Sequence, residues 1–145
     1  MARMYLIDTN IISELRKKSK ANPGVIKFFQ QAVEQKKHPF ISVVTVGELR
    51  RGVELIRYRG DHTQANLLEN WLQTVLADYA DCILDFTELE AQVWGKLRVP
   101  HPQNSLDKQI AATALTCGLT LVTRNVRDFE NTGVSLLNPF EVVDN

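Results

Sequence analysis

In the stretch Leu6-Ile7-Asp8-Thr9-Asn10 an apolar run ends at an acid, and apolar residues at helical spacing follow it. Continuous apolar runs are typical of strands buried on both faces of a parallel sheet. The five predicted strands are residues 4–7, 40–44, 82–86, 119–122 and 134–137. Their alternation with helical patterns predicts an α/β domain, in which a parallel sheet of about five strands lies between helices.

Capping residues and helix breakers mark the helices between these strands. Asn22-Pro23 predicts a helix start, because Asn accepts hydrogen bonds from free N–H groups and Pro suits the first helical position. Thr87 and Ser105 open two further helices, and Gly118 ends the second of them. The predicted buried side of the helix after Asn22 is Val25, Ile26, Phe29 and Val33. The sequence contains no repeat or linker, so we expect one domain over residues 1–145.

Composition is that of an ordinary globular domain, with 145 residues of which 44% are hydrophobic. The 17 basic and 17 acidic residues cancel, so net charge neither indicates nor excludes a polyanionic partner. No apolar run approaches the ~20 residues of a membrane span, and no signal peptide precedes Asp8. We therefore expect a cytoplasmic protein without membrane contact. Cys82 and Cys117 lie in apolar runs and are predicted to be small buried thiols.

Four acids, Asp8, Glu48, Asp107 and Asp128, stand near predicted strand ends or helix starts. Ligands of open parallel sheets bind outside the carboxyl ends of the strands, so these side chains are expected at one edge. Four neighbouring carboxylates cannot all stay ionised without a compensating cation. Oxygen ligands without thiolates or clustered histidines favour magnesium or manganese. The pattern predicts metal-dependent phosphoryl chemistry.

Each acid also has a structural explanation. Asp8 suits a helix cap, and Thr45-Val46-Gly47-Glu48 fits a capping box. Asp107 lies in a first helical turn, where the macrodipole favours a negative charge, and Asp128 lies in a polar loop. If these explanations suffice, the protein is a non-catalytic interaction module.

Phosphatases that form an aspartyl phosphate are a second alternative. They need another acid two residues after the nucleophile, and Asn10 occupies that position relative to Asp8. A receiver domain needs a paired acid after the first strand and a lysine after the last, and the sequence has neither.

Four motifs in order resemble the PIN domain, and most closely the VapC and FitB-like toxins of bacterial toxin–antitoxin pairs. They are Leu6-Ile7-Asp8-Thr9-Asn10-Ile11-Ile12-Ser13, Thr45-Val46-Gly47-Glu48-Leu49-Arg50-Arg51-Gly52, Asp107-Lys108-Gln109-Ile110-Ala111-Ala112-Thr113-Ala114 and Thr123-Arg124-Asn125. The resemblance covers essentially the whole chain. It implies a magnesium- or manganese-dependent ribonuclease that acts as a toxin, forms a homodimer and is inhibited by a cognate antitoxin.

The resemblance also assigns residues to a site. The first three family acids correspond to Asp8, Glu48 and Asp107, which are expected to bind the metal. Many relatives carry a fourth acid at the position of Asn125, so either this amide or Asp128 completes the catalytic set. Polar neighbours are expected to hold the attacking water or a substrate phosphate. They are Thr9, Asn10, Thr123, Arg124 and Asn125.

Overall fold

The structure is a computed structural model, and it describes residues 4–141, in which five parallel strands form the central sheet. The strands are β1 (Tyr5–Ile7), β2 (Ile41–Ser42), β3 (Ile83–Leu84), β4 (Thr120–Val122) and β5 (Leu136–Leu137). Strands β1, β4 and β5 form one ladder, and β2 and β3 form another. A parallel bridge between Leu6 and Phe40 joins the two ladders, which gives the order β3-β2-β1-β4-β5. The predicted α/β fold is confirmed.

Six α-helices connect these strands within the described residues. They are α1 (Thr9–Leu15), α2 (Pro23–Glu34), α3 (Val43–Tyr58), α4 (His62–Asp78), α5 (Glu88–Leu97) and α6 (Ser105–Cys117). Three predicted helix ends are confirmed. Asn22 accepts hydrogen bonds from two N–H groups of α2, Thr87 forms a capping box with Glu90, and Gly118 ends α6 with a φ of +66°. None of these helices combines the length and hydropathy needed to cross a membrane.

Two apolar layers cover the two faces of the sheet. Successive strand residues point to opposite faces, so Leu6 and Ile7 belong to different layers although they are adjacent. Ile7 and Val122 pack with residues of α1 to α4. Leu6 packs with Leu121 and with the apolar side of α6. Each fully buried Leu or Ile contributes roughly 1.5–3 kcal/mol, and the packing fixes the strand ends at which the polar residues stand.

All five predicted strands were too long, β1 and β4 by one residue and the other three by two or three residues. The run at 40–44 pairs only over Ile41–Ser42, because the Ser42 hydroxyl accepts a 3.0 Å hydrogen bond from the Val44 N–H and starts α3. The runs at 82–86 and 134–137 pair only over Ile83–Leu84 and Leu136–Leu137. Beyond these short strands, Phe40 forms only an isolated bridge with Leu6, and the Ser135 carbonyl oxygen accepts a single hydrogen bond from the Leu121 N–H.

The predicted buried side of α2 and the predicted burial of both thiols were partly wrong. Val25 is buried as predicted, but Val33 is 77% exposed, and the helix also buries Phe28 and Ala32, which were not predicted. Cys117 is exposed at the end of α6, while Cys82 is half-buried. Helical spacing predicted the existence of α2 but not its orientation about its own axis.

Candidate active site

The polar residues stand where the strand order reverses. Chain order runs outward from β1 through β2 to β3, and then returns to β4 on the other side of β1. The carboxyl ends of β1 and β4 therefore border a crevice, the usual position of ligand sites in such sheets. Asp8 directly follows β1, and Thr123 directly follows β4.

Asp8 is a buried carboxylate held by three hydrogen bonds. Its Oδ1 accepts a 2.8 Å bond from the Thr9 N–H, so the residue also caps α1. Its Oδ2 accepts bonds from the Thr123 hydroxyl at 2.7 Å and from the Asn10 amide at 3.2 Å. Burial raises the pKa of Asp8, the three hydrogen bonds oppose that rise, and the nearby charge of Asp128 adds to it. These three hydrogen bonds fix the orientation of the carboxylate.

Glu48 reaches the same place from α3. The predicted capping box is wrong, because Ser42 caps α3 and Thr45 lies inside the helix. The Glu48 Oε1 instead accepts a 2.7 Å hydrogen bond from the Thr9 hydroxyl. Burial raises the pKa of Glu48, the bond from Thr9 lowers it, and the charge of Asp8 raises it. Glu48 is thus oriented toward the end of β1.

Asp107 enters from the first turn of α6. Burial, together with the negative charges of Asp8, Asp128 and Glu48, raises the pKa of Asp107 to about 6. Asp8, Glu48 and Asp107 line one open cavity of about 450 Å³, which we call the acid cavity. Neighbouring carboxylates disfavour one another's ionisation, and a bound cation relieves this repulsion. The acid cavity therefore favours binding of a cation.

The fourth member of the predicted catalytic set was either Asn125 or Asp128, and the two residues lie in different places. Asn125 lines the acid cavity, and its side-chain amide makes no hydrogen bond within residues 4–141. Asp128 lies in a 3-10 helix, Val126–Phe129, and lines a neighbouring cavity. Its charge nevertheless contributes to the raised pKa values of Asp8 and Asp107. The structure brings three of the predicted acids together and places Asp128 beside them.

Several polar neighbours position the acids rather than facing a substrate. The hydroxyls of Thr9 and Thr123 are engaged by Glu48 and Asp8. The side-chain N–H of Asn10 donates a hydrogen bond to Asp8, and its side-chain oxygen accepts a 3.2 Å bond from the backbone N–H of Arg124. Such bonds set the orientation of carboxylates much as outer-shell partners do in metal sites.

The sequence analysis missed Glu14, which lines the acid cavity from α1. Its carboxylate accepts hydrogen bonds from the Lys17 ammonium at 2.9 Å and from the Asn22 N–H at 2.8 Å. The bond from Lys17 is the main cause that lowers the pKa of Glu14. The signal was available, because a spacing of four residues places Glu14 on the same helix face as Asn10. Glu14 is structurally paired, unlike Asp107.

A second cavity continues from the first. It has a volume of about 310 Å³ and shares Thr9, Ser13, Arg16 and Glu48 with the acid cavity. Its remaining lining is mainly apolar and comes from α3 and α4, including Leu49, Ile56, Leu68 and Trp71. We call it the α3–α4 groove. Arg16 lies between the two spaces, with its guanidinium 6.0 Å from the Trp71 ring centroid.

The acid cavity contains the right donor chemistry for a hard cation. Within residues 4–141, no three His, Cys, Asp or Glu side chains form a complete metal-binding group by themselves. Magnesium keeps several waters and takes only one or two carboxylates directly, so it does not require three carboxylates in contact with one another. The carboxylates of Asp8, Glu48 and Asp107 therefore fit a magnesium ion.

The chain matches the PIN domain family over residues 5–134, and it belongs to that family. The resemblance noted in the sequence motifs is thereby confirmed.

Curated relatives match along almost the full chain. The plasmid stability protein StbB of Pseudomonas syringae pv. tomato is 34% identical over 95% of this chain and 99% of its own length. Toxin FitB of Neisseria gonorrhoeae is 32% identical over 94% of this chain and 99% of its own. VapC ribonuclease Y4jK of Sinorhizobium fredii is 31% identical over 95% of this chain and 99% of its own length.

Solved structures agree with these relatives. The chain superimposes on FitAcB from Neisseria gonorrhoeae with a TM-score of 0.82 and 31% identity, covering 96% of this chain and 100% of that one. A toxin–antitoxin complex from Klebsiella pneumoniae matches with a TM-score of 0.65 and 26% identity, covering 95% of this chain and 99% of that one.

Proposed function

We propose that this protein is the toxin of a toxin–antitoxin pair and that it hydrolyses RNA phosphodiester bonds with magnesium, for which manganese substitutes. The observation that carries the proposal is the acid cavity, where Asp8, Glu48 and Asp107 meet at the strand-order reversal. Relatives named as a toxin and as a ribonuclease support it.

Asp8 and Asp107 would hold the principal metal ion, and Glu48 would ligate it directly or through water. A bound divalent ion lowers the pKa of a water ligand and neutralises charge on the phosphate oxygens. Two of these three carboxylates are already oriented by hydrogen bonds: Asp8 by Thr123 and Asn10, and Glu48 by Thr9. This preorganisation means that little reorientation is needed when substrate arrives.

The substrate phosphate would lie over the acids, within reach of groups that have free hydrogen-bonding capacity. Asn125 offers an unengaged amide to a phosphate oxygen or to the attacking water. Arg16 and Lys17 supply positive charge at the cavity rim. In the reaction, the water oxygen bonds to phosphorus and the bond to the leaving oxygen breaks. The proton lost by the water returns to the leaving oxygen through solvent.

A cognate antitoxin is the proposed protein partner, and the toxin itself is proposed to form a homodimer in the cytoplasm. The toxin–antitoxin complex from Klebsiella pneumoniae supports the first part. The α3–α4 groove shares Thr9 and Glu48 with the acid cavity, so an antitoxin segment in it would extend over the acids. Such a segment would exclude RNA without altering the site.

The test compares Asp8→Asn, Asp107→Asn and Asp85→Asn in cleavage of purified transfer RNA. Asp85 is a matched control, because it follows β3 at the far edge of the sheet and is exposed. We expect cleavage to be lost in the first two variants and kept in the third, with circular dichroism showing all three folded. Cleavage that survives in Asp8→Asn and Asp107→Asn would exclude this site.

One observation favours the non-catalytic alternative, namely that Asp8 does cap α1. Glu48 caps nothing, however, and the raised pKa of Asp107 is unfavourable for a purely structural acid. A module whose acids only stabilise the fold would show no RNA cleavage under any metal. A phosphatase that forms an aspartyl phosphate needs a second acid two residues after Asp8. Asn10 occupies that position and donates its side-chain N–H to Asp8. Failure to trap a phosphoenzyme would exclude this alternative.

A further inference from the structure

Lys108 is a buried cation that has no counter-ion among residues 4–141. It is 8% exposed, and its ammonium donates a hydrogen bond to the His101 carbonyl oxygen. No carboxylate in the described part of the chain lies within 4.0 Å of that ammonium. A buried charge is costly unless it is paired, and an ammonium has three protons to donate. The position therefore suits an anionic ligand.

Lys108 borders a cavity of about 490 Å³ beside the acid cavity, which we call the Lys108 cavity. Its lining includes His101 and Thr132 as well as the charged and amide side chains of Gln103, Asn104, Lys108, Arg127, Asp128 and Asn131. The lining contains two cations and one carboxylate, and its three side-chain amides offer both hydrogen-bond donors and acceptors. This composition suits a phosphate together with a nucleobase edge.

The Lys108 cavity and the acid cavity share no lining residue, but each is lined by one residue of the first turn of α6. Asp107 and Lys108 are consecutive residues of that turn, so their side chains leave the helix in different directions. Asp128 lines the Lys108 cavity, and its charge acts on both Asp107 and Asp8. Because the two cavities flank one helical turn, an RNA strand with one phosphate at the acids would bring a neighbouring nucleotide toward Lys108.

We propose that the Lys108 cavity binds the nucleotide next to the scissile phosphodiester. Lys108 and Arg127 contact its phosphate, and Gln103 and Asn131 contact the edge of its base. Sequence-selective RNA recognition uses unstacked bases in this way, whereas phosphate contacts fix their position. This inference rests on the proposed ribonuclease activity, and it assigns the cavity a role in substrate selection rather than in bond cleavage.

The test measures kcat/KM on a short RNA substrate and on the same substrate extended by one nucleotide on either side. For the wild-type protein we expect one of the two extensions to raise kcat/KM about tenfold. Lys108→Met with Arg127→Ala should abolish that gain and leave cleavage of the short substrate unchanged. Replacing a buried, unpaired lysine by methionine removes a desolvation cost, so the variant should fold.

Two further measurements sharpen this test. An abasic extension keeps the phosphate but lacks the base, so it should retain part of the gain in the wild-type protein and lose it in the double variant. The double variant Gln103→Ala with Asn131→Ala should keep the gain in kcat/KM that the abasic extension gives. It should lose only the additional gain that the base provides. Arg59→Ala is the control, because this exposed arginine lies at the end of α3 and outside the Lys108 cavity.

The outcomes separate the inference from the proposed function. If neither extension helps the wild-type protein, or if the gain persists in the double variant, the Lys108 cavity has no role in substrate binding. In both cases cleavage of the short substrate still supports the ribonuclease. Absence of cleavage on every substrate would instead overturn the proposed function itself.

Discussion

The Thr123 hydroxyl donates a 2.7 Å hydrogen bond to Asp8 Oδ2, although 115 residues separate the two along the chain. The bond joins the carboxyl ends of the adjacent strands β1 and β4. The same hydroxyl oxygen accepts a 3.0 Å bond from the Asn125 N–H. Thr123 thereby links the orientation of the first acid to the loop that presents Asn125 to the acid cavity.

Thr123→Val should destabilise the protein by about 1–2 kcal/mol, because a buried carboxylate and a backbone N–H each lose a partner. Urea unfolding measures this change. Thr113→Val is the matched control, since Thr113 is equally buried but bonds only the Gln109 carbonyl of its own helix at 3.4 Å. Equal losses in the two variants would show that the link from Thr123 to Asp8 adds nothing.

Thr9→Val should weaken magnesium-dependent cleavage about 10- to 100-fold, which is the usual effect of losing a group that orients a metal ligand. The variant frees Glu48, whose Oε1 accepts the Thr9 hydroxyl bond. Thr9→Ser keeps the hydroxyl and should restore most of the activity. The comparison is made as cleavage rate against magnesium concentration, and a serine variant as impaired as the valine variant would contradict the assignment.

Asp107→Asn should stabilise the metal-free protein at neutral pH. The pKa of Asp107 is raised to about 6 from a usual value of 3.8. Below the lower value the group is neutral in both states and has no effect. As pH rises from 3.8 to about 6, the unfolded chain ionises first, so the free energy of unfolding of the wild-type protein falls. The side chain of Asp107→Asn does not ionise, so the free energy of unfolding of this variant does not fall for this reason.

The expected gain at neutral pH is about 1–2 kcal/mol, discounted because Asp107 is only half-buried and solvent screens its charge. Urea unfolding in chelator at neutral pH and at about pH 3.5 measures it, with Asp85→Asn as the control. The difference should vanish at the acidic value. A variant less stable than wild type at neutral pH would show that Asp107 is a structural residue.

Gly24→Ala should destabilise the protein by several kcal/mol, because overpacking costs ~1–3 kcal/mol or more when neighbours cannot move. A Cβ at Gly24 would lie 2.0 Å from the Pro139 carbonyl oxygen, which belongs to the backbone of the 3-10 helix packed on α2. Gly95→Ala is the control, since no atom lies within 4 Å of its Cβ position in α5. That variant should be neutral or slightly stabilising, and thermal melts distinguish the two.

The acids were predictable because they follow or open apolar elements, and strand order brings such positions to one edge. Glu48 was predicted for the site, but its capping-box explanation failed because local sequence could not show that Ser42 starts α3. The run Val43-Val44-Thr45-Val46 is β-branched and favours a strand by propensity. The Ser42 cap and burial of Thr45, Leu49 and Val53 override that preference.

What the sequence could not provide are contacts between distant segments. Thr9 and Glu48 lie 39 residues apart, so their hydrogen bond has no local pattern. The orientation of α2 was ambiguous because Phe28 and Phe29 are both apolar, and only packing against Tyr5 places Phe28 inward. Arg50 and Arg57 of α3 both pair with Glu69 of α4, and this contact between two helices has no local sequence pattern either.

The most direct test of the central claim is the metal dependence of RNA cleavage by purified protein. Protein treated with chelator should lose cleavage of transfer RNA, and added magnesium or manganese should restore it. Asp8→Asn, treated in parallel, should not recover at any metal concentration that restores the wild type. Cleavage that persists in chelator, or that returns equally in Asp8→Asn, would contradict a metal-dependent ribonuclease centred on Asp8.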